Sequence, residues 1–486
     1  MLKKLRTKVF KLINSRKFEA FLVLMILIAA FAVRLYKIDI PINDWHSWRQ
    51  VDTAAVARIY VEEGINILYP KYYDISSVQT GYFNPEGLRF VEFPLYNIAH
   101  ALAFESFPQI QFEIWGRLIS VLSSLVTAIC VYFIAKRESR DKIVSLASLF
   151  FFCFIPFNIF YSRVILPEPM AAMFAVSSIL FFVKYYDSDK KLFLFTSSIL
   201  FSAGLLIKPY TLFYALPIAY LAIKKFGIKK LITNIPLLIA LDIALIPVFL
   251  WRAWIDSGAN IIGIPFVKWV FNGDGIRFRP AWWRWIFGER LGYLILGVWG
   301  IVPFVFGLIA KSNKLKLSMF MILAALSYVV VIATASVRHD YYQSILIPAI
   351  ALILGIGAGE MWKMGAKAKV ILSVCVVLML GMGWYQIKEF YKINHPEFVE
   401  VGKIVDESVA KDARLIVPDN GNTVFLYYTH RRGWPVLQGS IEEFIGLGAD
   451  YFVSVNNDAD TNMLKNKFNI FKQGPNYWII DLNSPK

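Results

Sequence analysis

Runs of about 20 apolar residues recur along this chain, the length an α-helix needs to cross roughly 30 Å of hydrocarbon. A chain carrying many such runs has few ways to fold in water. Of its 486 residues, 57% are hydrophobic and 18% are charged, against about 45–50% apolar in soluble domains. Too little polar surface remains to cover a single water-soluble core. A soluble enzyme, a disordered protein and a disulfide scaffold are therefore excluded, and the chain reads as an all-α polytopic membrane protein. The three cysteines, Cys130, Cys153 and Cys375, lie inside apolar runs with no ligand spacing around them. That pattern speaks against both a disulfide framework and structural zinc.

Lysine and arginine total 51 and aspartate and glutamate 35, a net charge of +16. Such an excess could mean nucleic acid, but its distribution points to membrane topology and to no nucleic-acid partner. Basic residues crowd the N-terminus from Lys3 to Lys17. They crowd again between apolar runs, at Lys136 to Lys142, Lys184 to Lys191, Lys224 to Lys230, Lys311 to Lys316 and Lys363 to Lys369. Short basic loops stay on the cytoplasmic side. With these loops inside, spans fall near 18–38, 114–135, 143–162, 168–184, 192–207, 209–223, 231–251, 291–310, 317–335, 341–361 and 370–388, about eleven in all. The first is too long for a signal-peptide core and lacks a cleavage site, so it reads as a retained span. The odd count places the N-terminus in the cytoplasm and the C-terminus outside the cell membrane.

Two long loops then face outward from a transmembrane domain of residues 1–389. The acid-rich first, 39–113, contains two short amphipathic stretches, Val51 to Glu63 and Pro94 to Phe107, expected to lie along the interface. The second, 252–290, is rich in tryptophan (Trp254, Trp269, Trp282, Trp283, Trp285), which favours headgroup depth. Residues 390–486 alternate helical patterns (Phe398, Val401, Val405, Val409; Ile441 to Leu447) with strands at Leu415 to Val417, Tyr451 to Val455 and Trp478 to Asp481. Such alternation predicts a small extracytoplasmic α/β domain.

Charged groups near membrane depth are costly and mark sites. Asp44 and Asp52 follow the first span, and Glu92 precedes the second interfacial stretch. Arg163 and Glu168 sit at one outer turn, Lys208 at another, and His339, Tyr341 and Tyr342 at a third. All of these share the outer face in a topology drawn only from the basic loops. A carboxylate there can deprotonate an acceptor hydroxyl, while Lys208, Arg163 and His339 can hold a lipid-linked phosphate and offset its charge as it leaves. Each residue also has a plainer reading. Lys208 and Arg163 could snorkel to headgroups, Glu168 could cap the following span, and His339 could be a simple hydrogen bonder. No metal-ligand spacing exists, although scattered outer carboxylates could bind a divalent ion.

The run Asp44-Trp-His-Ser-Trp-Arg49-Gln-Val-Asp52-Thr-Ala-Ala-Val-Ala-Arg58, followed by Tyr69-Pro70 and Glu92-Phe-Pro-Leu-Tyr96, resembles bacterial members of the protein O-mannosyltransferase-like superfamily. These are GT-C glycosyltransferases and include the lipid A aminoarabinose transferases. Arg117, Arg163 with Pro167-Glu168, Lys208-Pro209 and His339 with Tyr341-Tyr342 fit the same pattern in order, over about residues 18–390. The resemblance implies a polyprenyl-phosphate sugar donor, transfer with inversion to an extracytoplasmic lipid, glycan or protein acceptor, and a catalytic aspartate in the first outer loop. By it, Glu92 and Glu168 join that aspartate in the acidic set, Lys208 matches the phosphate-contacting lysine, and Arg49, Arg163, His339, Tyr341 and Tyr342 fall on the substrate side. Many relatives carry an Asp-Glu pair directly after the first span, where this chain has Asp44-Trp45 and a separate Asp52. Asp44 is favoured as base because it lies nearest the span, with Asp52 as rival. Two other classes remain open: a transporter or flippase for lipid-linked sugars, which would commonly show internal repeats absent here, and a non-catalytic scaffold.

Overall fold

A computed structural model describes residues 15–258, 269–310 and 315–486. The basic residues Lys3 to Lys11, part of the 252–290 loop, and Lys311 and Lys314 lie outside the described residues. The chain divides into two units. A helical unit comprises Met1–Ile38, Arg117–Ala253 and Phe266–Glu389, and a mixed unit comprises Asp39–Gly116, Trp254–Pro265 and Phe390–Lys486.

Among the described residues five helical segments are long and apolar enough to cross a bilayer: Phe112–Ser139, Glu168–Ser188, Ile235–Ser257, Asp340–Lys363 and Ala366–Tyr391. Lys142–Phe154, Lys191–Ile207 and Lys316–Val331 are apolar but shorter. Several expected spans are broken into pieces, and prolines account for two of the breaks. Pro156, which cannot donate to the preceding turn, separates Lys142–Phe154 from a short helix Pro156–Tyr161. Pro209 opens a tight turn, Pro209–Tyr214, before Ala215–Phe226. The expected span 291–310 begins inside a wide-pitched helix, Arg284–Ile295, and resumes at Ile301–Leu308.

Exposure sorts these helices. Ile347–Lys363 is buried along almost its whole length and packs against Lys142–Phe154 and Ile301–Leu308. Close approach there depends on small residues: a Cβ on Gly357 would stand 1.7 Å from the Pro303 carbonyl oxygen. By contrast, Leu241, Ile246, Phe249 and Leu250 on one helix, and Val370, Ile371, Val374 and Val377 on another, stand exposed. Apolar surface that extensive is stable only against another apolar phase. The helical unit is that of a multi-pass membrane protein.

The mixed unit carries a five-stranded sheet in the order β2-β1-β3-β5-β4. Its strands are β1 (Leu415–Ile416), β2 (Gly433–Trp434), β3 (Tyr451–Ser454), β4 (Phe468–Gly474) and β5 (Tyr477–Pro485). β1 runs parallel to β2 and β3, while β5 is antiparallel to β3 and β4. Around the sheet pack Glu397–Ser408, whose Phe398, Val401 and Val405 fall on one buried face, and Ile441–Gly446, started by a Ser440–Glu443 capping box. Helices Ser47–Glu63 and Leu95–Ser106 of the first long loop belong to the same unit and pack together. The former buries polar Arg49, Gln50, Asp52 and Thr53 along with its apolar residues, so these four point inward, while Glu62 and Glu63 at its end are exposed.

The loop also joins the sheet through its backbone. Ile75 N donates to the Gly433 carbonyl at 3.0 Å, and Gly433 N donates to the Tyr73 carbonyl at 3.0 Å. The Ile75 side chain enters the same core as Ile416, Trp434, Phe452 and Ile480. Gly433 is held between this segment and β1, where an added Cβ would lie 1.9 Å from the Leu415 carbonyl oxygen. Gly433→Ala should therefore force the strand apart and destabilise the unit by about 1–3 kcal/mol. Thermal unfolding in detergent reads this as a lowered Tm, and an unchanged Tm would show that the sheet edge absorbs a methyl group.

Candidate active site

In the mixed unit, Asp44 sits on the turn leading into Ser47–Glu63, just before His46, whose backbone is left-handed at φ 55°. Its carboxylate accepts from Gln50 Nε2 at 2.6 Å, and its backbone carbonyl accepts from Ser47 N. The side chain is buried. Asp52, two helical turns on, is held differently. Its Oδ1 accepts from the Thr423 hydroxyl at 2.6 Å, and its Oδ2 lies 2.9 Å from the Arg89 guanidinium, with both ionic side chains almost wholly out of water. Arg89 also donates to Gln79 and lies over the Tyr72 ring. Arg49 and Glu92 form an ion pair, so the two polar stretches that carry the resemblance meet directly.

Further along Ser47–Glu63, Arg58 donates to Glu113, which also accepts from the Tyr427 hydroxyl. Asp74 accepts from Ser76 N at 2.8 Å and from the Tyr72 hydroxyl at 3.3 Å. Burial raises the Asp74 pKa to about 6, although the Ser76 hydrogen bonds pull it down.

In the helical unit, Glu168 opens the helix Glu168–Ser188 and Lys208 closes Lys191–Ile207, the helix packed against it. Their side chains meet at 2.6 Å, exposed by only 2% and 6%. Tyr210 donates to the same glutamate oxygen at 3.3 Å. From Tyr210 an aromatic chain continues through Tyr342 (centroids 5.7 Å apart) to Tyr341 (4.7 Å) and His339 (5.6 Å). The structure thus brings Glu168, Lys208, His339, Tyr341 and Tyr342 into one contiguous group. Arg163 serves the backbone: fully buried, it donates to the Lys37 carbonyl at 2.5 Å. Arg117 does the same for the Ile38 carbonyl at 2.7 Å.

Several polar groups at these places were not singled out from sequence. Asp340, next to His339, accepts from the Tyr161 hydroxyl and lies 3.4 Å from Arg290. Arg89 and Thr423 hold Asp52. Charge within an apolar context was a usable signal for Asp340; Arg89 and Thr423 carry none, because their partner is remote in sequence. Trp282 of the tryptophan-rich loop is buried and donates to the Ala333 carbonyl at 2.9 Å, a packing role, whereas Trp283 and Trp285 stand half exposed. Among the described residues no three His, Cys, Asp or Glu side chains group so as to hold a metal ion.

Apolar helices long enough to cross a bilayer and a small sheet-bearing unit make up the described chain. The chain aligns over 94% of its length with ArnT from Cupriavidus metallidurans bound to undecaprenyl phosphate, covering 97% of that chain at a TM-score of 0.64 and 12% identity. The Archaeoglobus fulgidus oligosaccharyltransferase, in a complex with zinc and sulfate, aligns with 88% of this chain and 67% of its own at a TM-score of 0.55 and 11% identity. At such identities the likeness is one of fold. A search of curated protein sequences gives no significant match. Residues 24–272 match the family model of the dolichyl-phosphate-mannose-protein mannosyltransferases, and the chain belongs to that family.

The buried Asp74 gives a signed pH dependence. An unfolded chain releases this proton near 3.8, the folded one near 6. Between those values the folded state holds more protons, so its stability falls as pH rises and stays lower above pH 6, by on the order of 2–3 kcal/mol. Asp74→Asn should remove this part of the slope. Melting curves from pH 4 to 7 should then be flatter for the variant than for the parent, and equal slopes would mean that Asp74 does not titrate in that window.

Proposed function

We propose that the protein is an inverting membrane glycosyltransferase that moves a sugar from a polyprenyl phosphate to an acceptor outside the cytoplasmic membrane. The observation that carries this reading is that the matched family segment, 24–272, contains Asp44, Asp52, Glu92, Glu168 and Lys208, and that four of these five are buried. The undecaprenyl phosphate bound to ArnT supports a polyprenyl-phosphate donor. The topology that goes with it has about eleven crossings, the N-terminus in the cytoplasm and residues 390–486 outside, as the basic loops require.

In this mechanism Asp44 is the base. Asp52, held by Thr423 and Arg89, is the rival, as Asp44 is itself held by Gln50. Asp44 takes the proton of the acceptor hydroxyl while that oxygen attacks the anomeric carbon. The carbon–oxygen bond to phosphate breaks with inversion, and the polyprenyl phosphate departs with the bonding electrons. Lys208 offsets the phosphate charge, with Glu168 and Tyr210 fixing its direction. The aromatic chain from Tyr342 to His339 is assigned to the substrate side, and so, in the mixed unit, is Arg49, which pairs with Glu92.

Assays with purified protein and a panel of polyprenyl-phosphate sugars, read by mass spectrometry of the product, test the reading. Asp44→Asn should lower turnover by a factor of roughly 100–10,000, whereas Asp52→Asn should chiefly lower stability. Full activity in Asp44→Asn would remove it as base.

Lys208 needs a paired design. Lys208→Ala strands a buried carboxylate and should cost about 3–5 kcal/mol, so lost activity alone would be ambiguous. The double variant Glu168→Gln with Lys208→Gln leaves no unpaired charge and should recover most of the stability while donor binding stays weak. Donor binding that returns with stability would make the pair purely structural.

A further inference from the structure

The end of the helical unit away from Glu168 and Lys208 holds a cavity of different character. Glu168–Ser188 is 21 residues long, so at about 1.5 Å per residue its far end lies about 30 Å from Glu168. There, near Asp187, a cavity of about 540 Å³ opens, lined by Lys136, Arg137, Arg140, Lys224, Glu138 and Asp187 with Tyr220 and two leucines. The volume lies in the range of ordinary ligand pockets.

The charges around it do not cancel. Four cations face two carboxylates, and both carboxylates are engaged. Asp187 is held by Arg137 through two hydrogen bonds, at 2.6 and 3.0 Å. Glu138 turns its oxygens to the first turn of Lys316–Val331, accepting from Leu317 N at 2.6 Å and from the amide and hydroxyl of Ser318. Lys136 is neutralised by Glu19 at 3.1 Å. Among the described residues no carboxylate lies within ion-pair distance of Arg140 or Lys224. Lys224 instead stands 5.7 Å from the Tyr220 ring centroid and 6.0 Å from that of Tyr186, and Arg140 is held on a left-handed turn at φ 54°.

The surroundings say what kind of anion fits. Phe133, one turn below Arg137, and Ile223, beside Lys224, are exposed apolar side chains on the same helix ends. A ligand seated between Arg140 and Lys224 thus meets cations at its head, and the helices that lead to them carry exposed apolar side chains. Basic pockets between membrane helices, with lipid-facing walls, take phosphate headgroups.

We propose that this cavity binds the phosphate headgroup of an anionic membrane phospholipid, with Arg140 and Lys224 as the phosphate ligands and the acyl chains lying along Phe133 and Ile223. The site is separate from the transfer chemistry and does not depend on it. The shared chemistry, a phosphate ester, could also come from a soluble phosphate, and the test separates the two.

The full-length protein is placed in nanodiscs of phosphatidylcholine with and without phosphatidylglycerol, and the lipids that stay bound on gentle release are counted by native mass spectrometry. The parent should retain phosphatidylglycerol in preference to phosphatidylcholine. Arg140→Gln with Lys224→Gln should weaken that retention on the order of tenfold, whereas Lys191→Gln with Lys367→Gln, outside the cavity, should not. Inorganic phosphate at matched ionic strength should not displace the lipid. A parent without preference overturns the proposal even if the double variant fails to fold. Equal retention by both double variants, or displacement by inorganic phosphate, overturns it as well.

Discussion

A charge taken out of water must be met by another charge or by hydrogen bonds, and the pairing of Glu168 with Lys208 is the plainest case in this molecule. The two side chains are almost wholly buried, 2.6 Å apart, in a unit whose outer apolar faces suit lipid. Neither would be tolerated alone, since an unpaired buried ion shifts to its neutral form or unfolds its surroundings. Each ends a different helix, so the pair also fixes how those helix ends meet. Tyr210 adds a hydrogen bond and starts the aromatic chain toward His339. A structural requirement and a chemical resource thereby coincide, because the same burial that demands the pair would strengthen its action on an anion.

The mixed unit handles the same constraint over longer sequence distances. Asp52 is matched by Arg89 and by Thr423, hundreds of residues away, and Arg58 by Glu113 and Tyr427. These contacts, with the backbone pairing of residues 73–75 to Gly433, make the first long loop and the C-terminal sheet one folded body. The core at the sheet is built mostly by the C-terminal segment, from residues such as Ile416, Trp434, Phe444, Phe452 and Ile480, and Ile75 of the loop joins it.

What could be read from the sequence follows from the range of the interactions. Apolar runs and basic loops are local, and they led to a membrane protein with its main helices in place. The period of Phe398, Val401 and Val405 likewise located Glu397–Ser408. Helix breaks were legible in part: Pro156 and Pro209 are visible, but the interruption between Arg284–Ile295 and Ile301–Leu308 has no proline to announce it. Some candidate site residues stood out as charges against an apolar background, as at Glu168 and Lys208. Their pairing did not, since it is made by helix packing. Asp44 and Asp52 look alike in sequence, and their partners, Gln50 for the one and Thr423 with Arg89 for the other, lie outside what a local reading shows.

The two ends of the helical unit obey opposite rules. At one, the ions discussed above are matched: Glu168 by Lys208, Asp340 by Arg290 and Tyr161, Arg163 by a backbone carbonyl. At the other, cations outnumber carboxylates and stand in an open cavity. Matched, buried charges are preorganised and respond little to salt, which suits the handling of one reacting phosphate. Unmatched cations at a surface act at longer range, are screened within about 8 Å at physiological ionic strength, and suit retention of whatever anion the membrane supplies. On the two proposals made above, the same side-chain chemistry serves two purposes, and the amount of water left around it decides which.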